Sequence, residues 1–196
     1  SLNTFMNAFT SSDWTAYPFA SKNKKDFNNL MQVYLDAVFF ARLDPLDFSQ
    51  EGHRLEFEQP NDSSSDLVFK GVVFNEMKGA MSSITSQLWQ AVGEALFPDT
   101  TYSVNSGGEP ENIADLSYQQ VQDFYQSHYR PGNATFVTFG DIPAKQHQSV
   151  FEELALQHFT PINKKIEVPL QKKFNQVKRT AKHFPLPEEE ITDEKN

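Results

Sequence analysis

Glu76 stands in "GVVFNEMKGAMSS" (71–83), three residues from Val73 and Gly79 and four from Val72 and Ala80. At helical spacing these residues share one side, while Lys78 points elsewhere. The pattern therefore predicts a carboxylate on the apolar side of a helix, among small neighbours. Taken out of water without a partner, a carboxylate either costs several kcal/mol or becomes neutral. Two readings follow. Glu76 lies at a partly solvated helix edge, helped by the helix N-terminus, or it is a metal ligand or catalytic acid facing something that fills the space beside Gly79 and Ala80.

A metal needs further donors. The histidines are His53, His128, His147, His158 and His183. No two of them stand at the i, i+3 or i, i+4 spacing that places ligands on one helix face. His147 and His158 share an expected helix but lie about three turns apart. No serine sits in a G-x-S-x-G turn. The residues by themselves thus give one odd glutamate and no complete active site.

The other unusual stretch is "SLNTFMNAFT" (1–10), where Asn7 and Ala8 are small and polar between aromatic neighbours. As an edge strand it offers backbone N–H and C=O groups to an extended peptide, and small side chains permit close approach. The plainer reading is an edge strand protected by its own turn.

These residues need elements to hold them. Residues 1–19 suit two short strands around the polar turn "TSSD". Apolar positions Phe27, Leu30, Met31, Tyr34, Leu35, Val38 and Phe39 predict a helix over 24–42. A short helix running into an extended segment is expected over 44–58. A helix over 67–96 follows, capped by Ser65 or Asp66 and broken near Met81–Ser86. Ser117 caps a helix at 118–128, "TFVTFG" (135–140) reads as a strand, and 144–158 as a helix. Past Pro161 the amphipathic pattern decays into Lys, Pro and Glu. With no βαβ rhythm and no phosphate-binding glycine loop, the expected fold class is α+β.

The composition sets limits. The 196 residues suffice for one sizeable domain, and eighteen Phe offset a modest apolar fraction of 38%. A net charge of −9 argues against a nucleic-acid partner. The absence of cysteine excludes disulfides and thiolate metal sites. No apolar run approaches the ~20 residues that span a bilayer, and no membrane partner is expected. The chain opens on Ser1 without an initiator Met, as expected of a fragment or excised domain.

Taken together and in order, "SLNTFMNAFTSSDWTAYPF", "FKGVVFNEMKGAMSS", "TYSVNSGGEPENIADLS" and "HYRPGNATFVTFG" resemble the first catalytic domain of the pitrilysin/insulysin family, most closely its presequence-protease branch. The resemblance runs from Ser1 to about Phe159. It implies an antiparallel sheet packed with helices, with 1–160 a partial catalytic-type domain and 161–196 an extension toward the next. It also implies a zinc endopeptidase acting on short unstructured peptides, in which two His and a general-base Glu come from an HxxEH helix and a third ligand from a later helix. The position matching that third ligand is Glu76, and Asn7, Ala8, Phe9 and Thr10 match the substrate-binding edge. Tyr129, Pro131 and Asn133 match a structural turn. The HxxEH helix is not in this sequence. The expectations are therefore no catalytic residue and no zinc bound by this chain alone, association with the parent's other domains, and some self-association. The implied compartment is the bacterial cytoplasm or the mitochondrial matrix. The alternative is a non-catalytic, structural or peptide-holding member of the same fold family.

Overall fold

The computed structural model describes residues 4–161 and 166–184. The N-terminal segment folds into one hairpin whose ladder is broken in the middle. β1 (Phe5–Met6) pairs with β4 (Phe19–Ala20), and β2 (Phe9–Thr10) with β3 (Thr15–Ala16), in a single antiparallel register. The break falls opposite Pro18. Asn7 donates its N–H to the Pro18 carbonyl at 3.1 Å, but Pro18 has no N–H to return.

α1 (Lys24–Phe39) follows, started by Asn23, whose side chain accepts from the Asp26 N–H. Leu30, Met31, Leu35 and Phe39 form its buried stripe. The stripe meets α7 (Ala144–Leu154) in a core of Met31, Leu35, Phe39 and Ala155. Rings complete it: Phe136 stacks on Phe151 at 4.4 Å and lies 5.9 Å from Phe39.

α2 (Pro45–Glu51) leads into β5 (Arg54–Phe57). The next element corrects the sequence reading. Residues 67–70 are not the start of a helix but β6 (Leu67–Lys70), paired antiparallel with β5 from Arg54↔Lys70 to Phe57↔Leu67. Neither Ser65 nor Asp66 is a helix cap; the Asp66 carbonyl accepts from the Glu58 N–H within the hairpin. Gly71 ends the strand at a point where a Cβ would meet the Gly52 carbonyl oxygen at 2.0 Å, so the two backbones touch. Beyond it run α3 (Val72–Ala80) and, after a break at residues 81–83, α4 (Ile84–Leu96).

α5 (Pro110–Ala114) and α6 (Tyr118–His128) complete the helices. Ser117 and Gln120 form a reciprocal capping box at the start of α6, as the sequence predicts. The expected strand over 135–140 pairs with nothing among the described residues. Phe136 turns into the core while Val137 and Phe139 are fully in solvent. The fold is α+β, but its antiparallel sheet consists of separate two-stranded pieces.

Residues 166–184 form neither helix nor strand. They lie across the end of α4, where Gln171 and Lys172 engage the Asp99 carboxylate and Lys182 reaches Glu94 at 2.6 Å. The chain exposes 15401 Å², against about 9,400 Å² for a compact monomer of this mass. Much apolar surface is accordingly open to water.

Candidate functional site

α3 presents the first candidate. Its covered side carries Phe74, which is buried, and Met77, whose sulfur would lie 2.3 Å from a Cβ on Gly107. Phe74 continues a ring series through Phe69, His53 and Phe48. The side predicted to face the interior is the bare one. Val72, Val73, Glu76, Gly79 and Ala80 are all exposed, and nothing lies within 4 Å of a Cβ built on Gly79. The Glu76 carboxylate makes no hydrogen bond or ion pair among the described residues. A solvated carboxylate is stable without a cation. The argument from a buried charge therefore does not hold for this chain, and the reading of Glu76 as a residue of a solvated helix side describes it better.

The second candidate is the outer side of the N-terminal hairpin, where Asn7, Ala8, Phe9 and Thr10 are exposed. Phe9 and Thr10 belong to β2, whereas Asn7 and Ala8 occupy the break between β1 and β2. Asn7 N–H and Ser11 N–H donate across the hairpin, to Pro18 and Trp14. In an antiparallel ladder the intervening Ala8 N–H points outward. It donates to Asn7 Oδ1 at 2.8 Å, so the centre of the edge is covered by its own neighbour's amide. The Asn7 carbonyl, left without a donor by Pro18, takes the Tyr34 hydroxyl at a long 3.4 Å.

Other hydroxyls hold the hairpin. Tyr17 and Tyr129 share a 2.8 Å hydrogen bond. Half-burial is the main cause raising the Tyr17 phenol well above its usual range, and the bond to Tyr129 adds to it. Tyr102 donates to Asp13 Oδ2 at 2.5 Å, which raises the Tyr102 phenol. No spacing in the sequence marks the Tyr34 and Tyr102 hydroxyls or the Asp13 carboxylate as hairpin partners; Tyr34 reads there as one of the apolar positions of α1. Only Pro18, a residue without a donor inside a strand pattern, signalled that an outside hydroxyl was needed.

No hydrogen bond, ion pair or ring contact among the described residues joins α3 to residues 7–10. The histidines do not converge either. His53 Nε2 meets the Leu116 carbonyl at 2.7 Å, His128 stacks on Phe124, His147 is buried against Phe27, and His158 lies against Phe40. Among the described residues no group of three His, Cys, Asp or Glu stands close enough to hold a metal ion. One exposed carboxylate does not make a zinc centre. The residues present therefore do not by themselves fit the zinc ion that the family resemblance implies. Among the described residues no helix is long and apolar enough to cross a membrane.

The α+β fold agrees with the relationships found by comparison. The family model described as the peptidase M16 inactive domain matches residues 115–196. The chain is 53% identical over 174 residues to the mitochondrial presequence protease of Xenopus laevis, covering 89% of this chain and 17% of that protein. Identity to the mitochondrial presequence protease of Danio rerio is 55% over 171 residues, 87% of this chain and 17% of that protein. For Schizosaccharomyces pombe it is 44% over 189 residues, 95% of this chain and 19% of that protein. The chain belongs to the pitrilysin/insulysin, or insulinase-like, family of peptidases. Within that family it falls on the presequence-protease branch. It spans less than a fifth of the length of these relatives.

Proposed function

We propose that this chain is part of a zinc-dependent endopeptidase that degrades short unstructured peptides. It holds the peptide and offers one metal ligand, and it is inactive alone. Asn7, Ala8, Phe9 and Thr10 form the edge along which a peptide backbone lies extended, with main-chain hydrogen bonds supplying affinity. Glu76 is the third protein ligand of a zinc whose other ligands come from outside this sequence. The observation supporting this reading is the bare side of α3: a carboxylate ringed by Val72, Val73, Gly79 and Ala80, with the packed side of the helix elsewhere. A small-residue face around one acid suits close approach by another helix. A zinc held by Glu76 together with ligands from outside this sequence would supply water activation for peptide hydrolysis. This chain's own part is to orient the peptide.

Under this reading residues 1–160 are a partial catalytic-type domain and 161–196 an extension, the remaining domains of the parent cover the exposed apolar surface, and the compartment is the matrix of the mitochondrion, the organelle named for the relatives. The test is Glu76→Gln in the full-length protein. Zinc content is expected to fall below about a tenth of wild type, with loss of peptide cleavage. Full zinc and full turnover overturn the assignment. The match to a domain described as inactive favours a second reading, a structural or peptide-holding member. It requires that the full-length wild-type protein bind peptide but neither zinc nor cleave.

A further inference from the structure

The N-terminal hairpin is fixed at two ends. At its base Phe19 packs on Phe27 and Tyr34, with ring centroids 5.2 and 4.8 Å apart. Along its length Tyr17 meets Tyr129, and Tyr34 reaches the Asn7 carbonyl. Beyond Tyr17, toward the turn, β2, β3 and Trp14 stand largely in solvent. Among the described residues, the side-chain hydrogen bond that ties this half to the body runs from Tyr102 Oη to Asp13 Oδ2, across 89 residues of sequence.

The far side of that bond is rigid. Tyr102 lies in the 3-10 turn Thr101–Ser103, capped by Thr100 Oγ1, which accepts the Tyr102 N–H at 3.2 Å. The turn is pressed onto α4: a Cβ on Gly93 would lie 2.8 Å from the Tyr102 carbonyl oxygen, and Gln90 Nε2 donates to the Ser103 carbonyl at 3.0 Å. The Tyr102 ring also packs on Phe97.

We propose that Tyr102 and Asp13 form a latch that holds the tip of the hairpin against α4, and that both are positioning residues for the peptide edge Asn7–Thr10. Residues 7–10 lie between the packed base and the latched tip, so releasing the tip lets the edge open one strand at a time. The role in peptide binding rests on the function proposed above; the latch itself does not. A charged acceptor strengthens the bond, and the acidity of the Tyr102 phenol shifts as such a partner requires.

The experiment uses the full-length protein with Tyr102→Phe, Asp13→Ala and Asp13→Asn. Tyr102→Phe keeps the ring on Phe97, and Asp13→Asn keeps an acceptor. Amide exchange of residues 5–16 is expected to quicken about twofold to tenfold in Tyr102→Phe and Asp13→Ala, and to return toward wild type in Asp13→Asn. Peptide cleavage should show a KM raised by a similar factor with kcat within about twofold. Unchanged exchange in Tyr102→Phe overturns the latch. Faster exchange with an unchanged KM supports the latch and overturns the assignment of residues 7–10 as the peptide edge.

Discussion

The α1–α7 layer and the α3–α4 pair carry similar amphipathic patterns and meet opposite fates. In the first, Leu35 and Phe39 are sealed by Phe136, Phe151 and Ala155. In the second, Ile84, Leu88, Trp89 and Leu96 lie on a helix with no buried residue, and Val72 and Val73 face water beside Glu76. A pattern fixes which stripe of a helix is apolar. Whether anything covers the stripe depends on elements far away in sequence.

The sharpest way to break this contrast is to truncate one ring from each region. Phe39→Ala should destabilise the chain by about 3–5 kcal/mol in chemical denaturation, whereas Trp89→Ala should change stability by less than about 0.5 kcal/mol. A comparable loss at Trp89 would show that α4 is covered in solution, for example by a second copy of the chain.

A smaller effect concerns the hairpin tip. The folded-state pKa of Tyr102 is raised, so its bond to Asp13 contributes fully below the unfolded phenol pKa and is lost as pH rises through the higher folded value. In a Trp89→Phe background, Trp14 fluorescence should shift on titration above pH ~10, and Tyr102→Phe should remove the shift. A shift that survives Tyr102→Phe would place its origin elsewhere.

The smallest effect is at the C-terminal segment. Lys182 holds the Glu94 carboxyl below its usual range. That contribution is present at neutral pH and fades as pH falls through the depressed value. The pair is exposed, so it is weak and screened by salt. Limited proteolysis between residues 172 and 182 should quicken by at most a few-fold between 0.05 and 0.5 M salt, taken as about a threefold change in Debye length. No change would assign the hold to Asp99 and Gln171 instead.

Much of the helical frame was legible. α1 and α7 follow apolar spacing, and the Ser117 cap marks the start of α6 to the residue. Residues 67–70 were misread because Asp66 before an apolar run imitates a helix start; only pairing with 54–57 makes it a strand. "TFVTFG" is extended as its β-formers suggest, yet a strand needs a neighbour that local sequence does not show. For Glu76 the helix was right and the covered side was not. α3 has two apolar stripes, and its neighbours α2 and α5 select the one with Phe74 and Met77. The hairpin was readable from its β-formers on either side of the polar turn "TSSD". The Tyr102–Asp13 bond joins two ordinary surface residues and leaves no local trace.

The amide of Asn7 has one more consequence. Because Oδ1 already engages the Ala8 N–H, an arriving strand does not find a vacant donor at the middle of the edge. It must trade one contact for another, so recognition there is an exchange with little net gain. Stray strands from neighbouring molecules gain little at that position, which guards the bare edge against sticking. Under the proposed function, a guest peptide gains its hold from the residues flanking Ala8 rather than at Ala8 itself.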